Sequence, residues 1–240
     1  MRKTKEAKHI IDTSTHFKDV AEDYDFFVHT TVPKYDELNE ELSKLLDKFL
    51  LSGNKPEILD LGIGAGATSK LVFAKSPSAH IIGYDISPEM LEKAKANLHG
   101  YNVELVLDNV LNIEYNNKFD LAISSIACHH LTDEEKQACF KKVFNSLKPN
   151  GVFILSDVMT TGNPTEDEEI AKQWGDFMEK RAGAEYRDFI LADAEKSHMP
   201  ASIDANIAFL KELGFENVQF VWRGMITAIV HGIKGMRTNE

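Results

Sequence analysis

Ile58-Leu59-Asp60-Leu61-Gly62-Ile63-Gly64-Ala65-Gly66 is the stretch that decides the fold of this chain. A short apolar run closes on glycines at alternate positions, and Ala67–Lys75 continues as a helix. A run of this length ending in glycine reads as a parallel strand buried on both faces. Glycine lets the backbone turn sharply and leaves no Cβ between the chain and a ligand lying over it. By itself G-x-G-x-G indicates a nucleotide-like ligand at the first strand-to-helix turn. The alternative is a tight turn that holds nothing.

Outward from this segment, strands and helices alternate. His80–Asp85 reads as a second strand, and Ser87-Pro88-Glu89 opens a helix through His99 with serine at the cap and proline at the first position. Val103–Leu107 and Phe119–Ser125 follow as strands. Thr132-Asp133-Glu134-Glu135 has the cap-plus-acid signature of a helix start, and that helix runs to about Leu147. Lys148-Pro149-Asn150-Gly151 is a turn before a fifth strand, Gly151–Asp157. Five strands spaced by helices predict a parallel, doubly wound α/β sheet.

The flanks differ from this core. The first 50 residues read as helices, the clearest being Tyr35–Leu51, where Leu38, Leu42, Leu45, Leu46 and Phe49 form one apolar face, with Pro33 before it and Gly53-Asn54 at its end. After Met159 the alternation stops, and residues 160–200 read as a charged, aromatic, helical insertion. A last helix, Ile203–Leu213, stops at Gly214. Val218–Trp222 and Ile226–His231 are joined only by Arg223-Gly224-Met225, too short for a crossover, so they form an antiparallel hairpin. This gives an N-terminal helical lid over 1–52 and a ligand-binding domain over 53–240.

Asp85 sharpens the ligand. It lies 19 residues beyond Gly66, at the end of the second strand, where a carboxylate can accept hydrogen bonds from both hydroxyls of a ribose. Adenosine occurs in NAD and in S-adenosylmethionine (SAM). A dinucleotide site needs a pyrophosphate cradle, usually G-x-G-x-x-G. Here the spacing is Gly62, Gly64, Gly66 with Asp60 ahead of it. SAM has no phosphate, an acid at the strand end can face its ammonium group, and Asp108-Asn109 after the third strand can meet the adenine amino group. These features favour SAM over a nicotinamide cofactor.

LDLGIGAGATS, GYDISPEMLEKAKANL, FDLAISSIACHHLTDEEK and LKPNGVFILSD resemble, in order and spacing, the motifs of class I SAM-dependent methyltransferases. The resemblance spans about residues 57–158 strongly and the terminal hairpin more loosely. It implies a Rossmann-like seven-stranded sheet with its last strand antiparallel. It also implies that Gly62, Ile63, Gly64 and Gly66 line the methionine part of SAM and Asp85 the ribose. Ile86 and Met90 would then line the adenine face, Asp108, Asn109 and Val110 its edge, and Ser124 or Ser125 would lie beneath. The chain is further similar to the carboxy-SAM synthase branch. Thr31-Val32-Pro33-Lys34-Tyr35 looks like that branch's segment over the cofactor, which gives Tyr35 a place at the methionine end. A carboxy-SAM synthase carries an arginine in its last helix for the extra carboxylate. Phe209 stands there in this chain, which points to ordinary SAM and methyl transfer, with S-adenosylhomocysteine as product. A carboxy-SAM synthase-like enzyme and a nicotinamide-dependent oxidoreductase are the alternatives.

Other residues carry two readings. His129-His130 follow the fourth strand at the expected active-site rim, so His129 is a candidate general base, or else packs against the cofactor or the next helix. A two-histidine metal site needs a third ligand and adjacent residues do not project to one point, so no metal is expected. Tyr24, Phe26, Phe27 and His29 are either a helix packed on the sheet edge or an aromatic lid over the sulfonium, Tyr24 being the one to face it. Trp174, Phe177, Met178, Tyr186, Arg187 and Phe189 are local core or the wall of an acceptor pocket.

The 240 residues are 43% hydrophobic and carry a formal charge of −11. With no dense basic run, nucleic acid is a poor partner. No stretch approaches the roughly 20 apolar residues of a membrane helix, and no long apolar run follows the basic N-terminus, so neither a membrane span nor a secretory signal is expected. Two cysteines, Cys128 and Cys139, lack disulfide or zinc spacing and suit a reducing cytoplasm. A small-molecule methyl acceptor is the expected partner, and the related branch leaves a homodimer open.

Overall fold

The computed structural model describes residues 24–50 and 55–236. Helices α1 (Tyr24–Thr31) and α2 (Tyr35–Phe49) precede the sheet. Then come β1 (Glu57–Leu61), α3 (Ala67–Lys75), β2 (His80–Asp85), α4 (Pro88–Asn97), β3 (Val103–Leu107), β4 (Phe119–Ser125), α5 (Asp133–Ser146) and β5 (Leu147–Val158). Helices α6 (Pro164–Ala182) and α7 (Ala184–Ser197) form the insertion, and α8 (Ile203–Glu212), β6 (Phe215–Arg223) and β7 (Thr227–Lys234) close the fold. Short 3-10 turns at Val110–Asn112 and Cys128–His130 follow β3 and β4.

The sheet has seven strands in the order β3-β2-β1-β4-β5-β7-β6. β1 to β5 pair in parallel, and β7 runs antiparallel to both β5 and β6. The expected hairpin is therefore present, with its second strand inserted between β5 and the first. The chain moves outward from β1 through β2 to β3, then returns to β4 on the other side of β1. That reversal opens a crevice at the carboxyl ends of β1 and β4, where doubly wound sheets bind ligands.

Strand alternation sends successive residues into two separate cores. Ile58, Ile81, Leu121, Ile123 and Ile154 face α2, α3 and α4, meeting Leu38, Leu42, Leu46, Val72, Phe73 and Ala94. Leu59, Leu61, Ile82, Ala122, Phe153 and Leu155 face α5 and α8, meeting Phe140, Val143 and Leu210. Helix starts follow local chemistry. Ser87 Oγ accepts from Met90 N ahead of α4, and Thr132 and Glu135 form a reciprocal capping box at α5. Asn163 accepts from two amides of α6, whose first residue is Pro164.

Several boundaries differ from the sequence reading, among them β6, which starts at Phe215 rather than Val218, and β7, which runs to Lys234 rather than His231. α2 ends at Phe49, and the Gly53-Asn54 stop, like the boundary at 52 and 53, lies outside the described residues. β5 begins at Leu147 because the expected Lys148–Gly151 turn is absorbed as an irregularity: Phe119 pairs with Leu147 but Leu121 with Val152, and Asn150 takes φ 64°. α4 stops at Asn97 rather than His99.

Candidate active site

The crevice at the carboxyl ends of β1, β2 and β4 holds a cleft enclosing about 880 Å³, part of it open to solvent. Its floor is the glycine turn. Gly62 and Gly64 adopt φ 68° and 54°, in the left-handed region that side chains disfavour. A Cβ on Gly62 would meet Ala127 Cβ at 2.4 Å, whereas one on Gly64 would meet nothing nearer than Gly62 O at 3.9 Å. The missing side chain of Gly62 thus makes room for the chain after β4, and that of Gly64 leaves cleft space.

The turn is pinned to β2 and α4 rather than free. Ile63 N donates to Tyr84 O at 2.9 Å, Gly64 N to Asp85 Oδ2 at 2.8 Å, and Asn97 Nδ2 to Ala65 O at 3.0 Å. Ser87 N donates to the other Asp85 oxygen at 2.9 Å. Both carboxylate oxygens are therefore fixed by backbone amides, and each keeps acceptor capacity for a ligand. Burial raises the Asp85 pKa, and these amide bonds oppose the rise. Ile86 and Met90 add apolar wall, and Tyr24, from α1, packs on Met90 with Phe27. Burial, Tyr35 and the Asp85 and Asp60 charges hold the Tyr24 hydroxyl well above its ordinary pKa, so it stays protonated.

Nine residues expected from the sequence line this cleft: Tyr24, Gly62, Gly64, Asp85, Ile86, Met90, Asn109, Val110 and Ser125. The others sit elsewhere, each for a physical reason. Gly66 is the N-cap of α3 at φ 85°, and a Cβ there would strike Leu98 of α4 at 2.8 Å, so it serves helix packing. Ile63 points away, lying over Gly83, where a Cβ would come within 2.3 Å of its Cδ1. Ser124 is fully buried and donates to Leu61 O at 3.2 Å. Asp60 is buried beneath the turn and accepts from Ser69 Oγ at 2.6 Å. Its carboxyl is pushed up to about 7 by burial, with the Ser69 bond opposing and the Asp85 charge adding. Tyr35 stands behind Tyr24, edge-on to His29. Asp108 is exposed, accepting from Asn109 N and Asn112 Nδ2 at 2.7 Å each.

A second cavity, of about 490 Å³, adjoins the first. Phe27, Val32, Val158, Trp174, Ile190 and Ile226 form its apolar lining, with His129, His198 and Asp193 as polar members. Ile126 and His130 line both cavities, so the two share a wall at the end of β4. Trp174 Nε1 donates to Thr31 O at 2.6 Å, which ties α6 to the end of α1 above this cavity. Ile126 itself holds φ 54°, which bends the chain out of the sheet here.

His129 is buried, and its Nδ1 lies 2.6 Å from Asp157 Oδ1, at the end of β5. His130 Nδ1 donates to Ser197 O at 3.1 Å. The two rings are 4.1 Å apart between centroids, and His198 lies 4.5 Å and 5.0 Å from them. The expectation that adjacent histidines diverge fails here because the 3-10 turn over Cys128–His130 brings both rings to one side. Burial and the neighbouring His129 and His198 lower the His130 pKa well below the usual histidine value. Burial also raises the Asp157 carboxyl to about 7. Sequence reasoning missed Asp157, Glu135 and His198. Asp157 alone had a signal, its place at the carboxyl end of a central strand.

The geometry suits a zwitterionic nucleoside: glycine floor, fixed carboxylate, apolar wall and an overlying tyrosine. Residues 58–151 match the family described as methyltransferase domain. The carboxy-SAM synthase of Helicobacter hepaticus is 25% identical over 214 residues, covering 85% of this chain and 87% of that protein. That of Nautilia profundicola is 26% identical over 209 residues, covering 86% and 88%. Among solved structures, the YcgJ protein of Bacillus subtilis superposes with a TM-score of 0.63 at 18% identity, covering 82% of this chain and 99% of that one. Human N-acetylserotonin methyltransferase in complex with SAM does so at 0.57 and 19%, covering 82% and 52%. Residues 58–151 are thus a methyltransferase domain, whose cofactor is SAM, and over most of its length the chain is similar to the carboxy-SAM synthases.

Proposed function

We propose that SAM occupies the glycine cleft and that a small, largely apolar molecule in the second cavity receives its methyl group. The observation that carries this reading is the shared wall: Ile126 and His130 line both cavities. Bound SAM supplies an electrophilic methyl group on a positively charged sulfur. In an in-line displacement of this kind the protein's work is alignment and exclusion of water.

Asp85, fixed by Gly64 N and Ser87 N, receives the ribose, with Ile86, Met90, Asn109 and Val110 around the base. Gly62 and Gly64 bring bare backbone against the methionine end, and Tyr24, backed by Tyr35, covers it. Asp60 contributes negative charge from below. The lid consists of α1 and the α6–α7 insertion, joined through Trp174 and Thr31 and through the Phe26–Tyr186 ring contact, whereas α2, expected in the lid, packs in the sheet core. At the acceptor end, His129 donates Nδ1–H to Asp157 and turns Nε2, its basic nitrogen, into the proton-accepting role.

A carboxy-SAM synthase activity fits less well. Among the described residues no arginine or lysine lines either cavity, and Phe209 packs with the core on the α5 and α8 side. An added carboxylate would meet no cationic side chain among the described residues lining either cavity.

Three outcomes follow. Gly64→Ala should lose about tenfold or more in SAM affinity by calorimetry, while left-handed strain costs only about 1–2 kcal/mol of stability. Gly66→Ala, clashing with Leu98, should instead lose roughly 1–3 kcal/mol in urea unfolding.

SAM affinity should strengthen as pH rises through about 7 and level off above it, because a cationic ligand favours the ionised form of Asp60, whose pKa is near 7 when free. Asp60→Asn should flatten that profile. An unchanged slope would remove Asp60 from the cofactor site.

Screening small nucleophilic acceptors for S-adenosylhomocysteine release tests the reaction itself. With a turned-over acceptor, Trp174→Ala should raise its KM roughly tenfold and leave SAM affinity nearly unchanged. An equal loss in both would place the acceptor elsewhere.

A further inference from the structure

The three histidines of the second cavity, of which His130 also lines the first, have the makings of a metal site. One ring nitrogen each from His129, His130 and His198 lies within 4.8 Å of the other two. Around a zinc-sized ion in tetrahedral geometry, nitrogens at 2.0–2.1 Å from the metal stand roughly 3.3 Å apart. Closing from that separation to a tetrahedral site needs ring movements of about 1.5 Å or less.

Two ring orientations are already set as metal-binding histidines require. His130 Nδ1 donates to a backbone carbonyl, Ser197 O, and His129 Nδ1 to the Asp157 carboxylate. Each proton on Nδ1 leaves the lone pair on Nε2, and the carboxylate–histidine pairing is the usual outer shell of such ligands. The backbone is stapled around the same point. Met199 N donates to His129 O at 2.6 Å, and buried Lys136 bridges Leu131 O and Met199 O. His198, 68 residues along the chain from His130, is held at the cluster by these links.

We propose that His129, His130 and His198 bind one divalent transition-metal ion of the zinc class, with an open coordination position toward the second cavity. Imidazole suits Zn²⁺, Co²⁺, Ni²⁺ and Fe²⁺ over Mg²⁺ and Ca²⁺. Three protein ligands leave a fourth position for water or a donor atom of the bound molecule. The carboxyl groups of Asp157 and Asp193 lie nearby, and Lys136 is a cation that the ion must tolerate. Contact between the ion and the methyl acceptor rests on the acceptor cavity assigned above; metal binding itself does not. Coordination and proton acceptance are competing uses of His129 Nε2.

The test is titration of chelator-treated full-length protein with Co²⁺, followed by visible absorption and displacement with Zn²⁺, beside a SAM titration of the same samples. The expected result is one ion per chain with a d–d spectrum of low coordination number. Binding should weaken at least tenfold in His198→Ala and in His130→Gln, with circular dichroism confirming that each is folded. Absence of Co²⁺ and Zn²⁺ uptake by the wild-type protein, or equal uptake by both folded variants, would overturn the proposal. Retention of SAM binding in either case keeps that result separate from the cofactor reading.

Discussion

The carboxylate of Asp85 is the joint on which this architecture turns. One oxygen holds Gly64 N of the β1–α3 turn, and the other holds Ser87 N at the start of α4. A buried carboxylate is costly unless hydrogen-bonded, and these amides offset that cost. In return they fix the glycine turn against β2 and set the first helical residues of α4, which carries Met90. Floor and wall of the cleft are thereby positioned by a single side chain. Tyr24 can then close on Met90 from a helix that precedes the sheet.

That joint was legible in sequence because its parts are local. An apolar run into alternate glycines, an acid at the next strand end, and a serine cap followed by proline each leave a short pattern. The sheet was legible for the same reason, since two-faced burial makes β1, β2, β4 and β5 compact apolar runs. Even the terminal hairpin was marked by the shortness of Arg223-Gly224-Met225. What the pattern did not carry was its place in the sheet: β7 between β5 and β6 is a matter of long-range pairing, Val152 with Ile233 and Asp157 with Ala228.

Individual roles were less legible than the motif that contains them. Gly62, Gly64 and Gly66 look equivalent in sequence, yet one clears Ala127, one opens the cleft and one admits Leu98. Only the surroundings separate them. Ser124 and Ser125 divide in the same way by strand alternation, the first buried against β1 and the second on the cleft. The histidine cluster lay beyond any local reading. Asp157 lies 28 residues from His129, and Ser197 lies 67 from His130, so their meeting depends on the sheet order and on the return of α7 across the crevice.

In the proposed arrangement of the two cavities, cofactor and acceptor meet at Ile126 and His130. A crystal structure with S-adenosylhomocysteine tests it most directly. The expected result is the ribose hydroxyls on Asp85, the base between Ile86, Met90 and Asn109, and the sulfur facing the second cavity across Ile126. A ligand whose sulfur points away from that cavity, or whose ribose lies off Asp85, would contradict it.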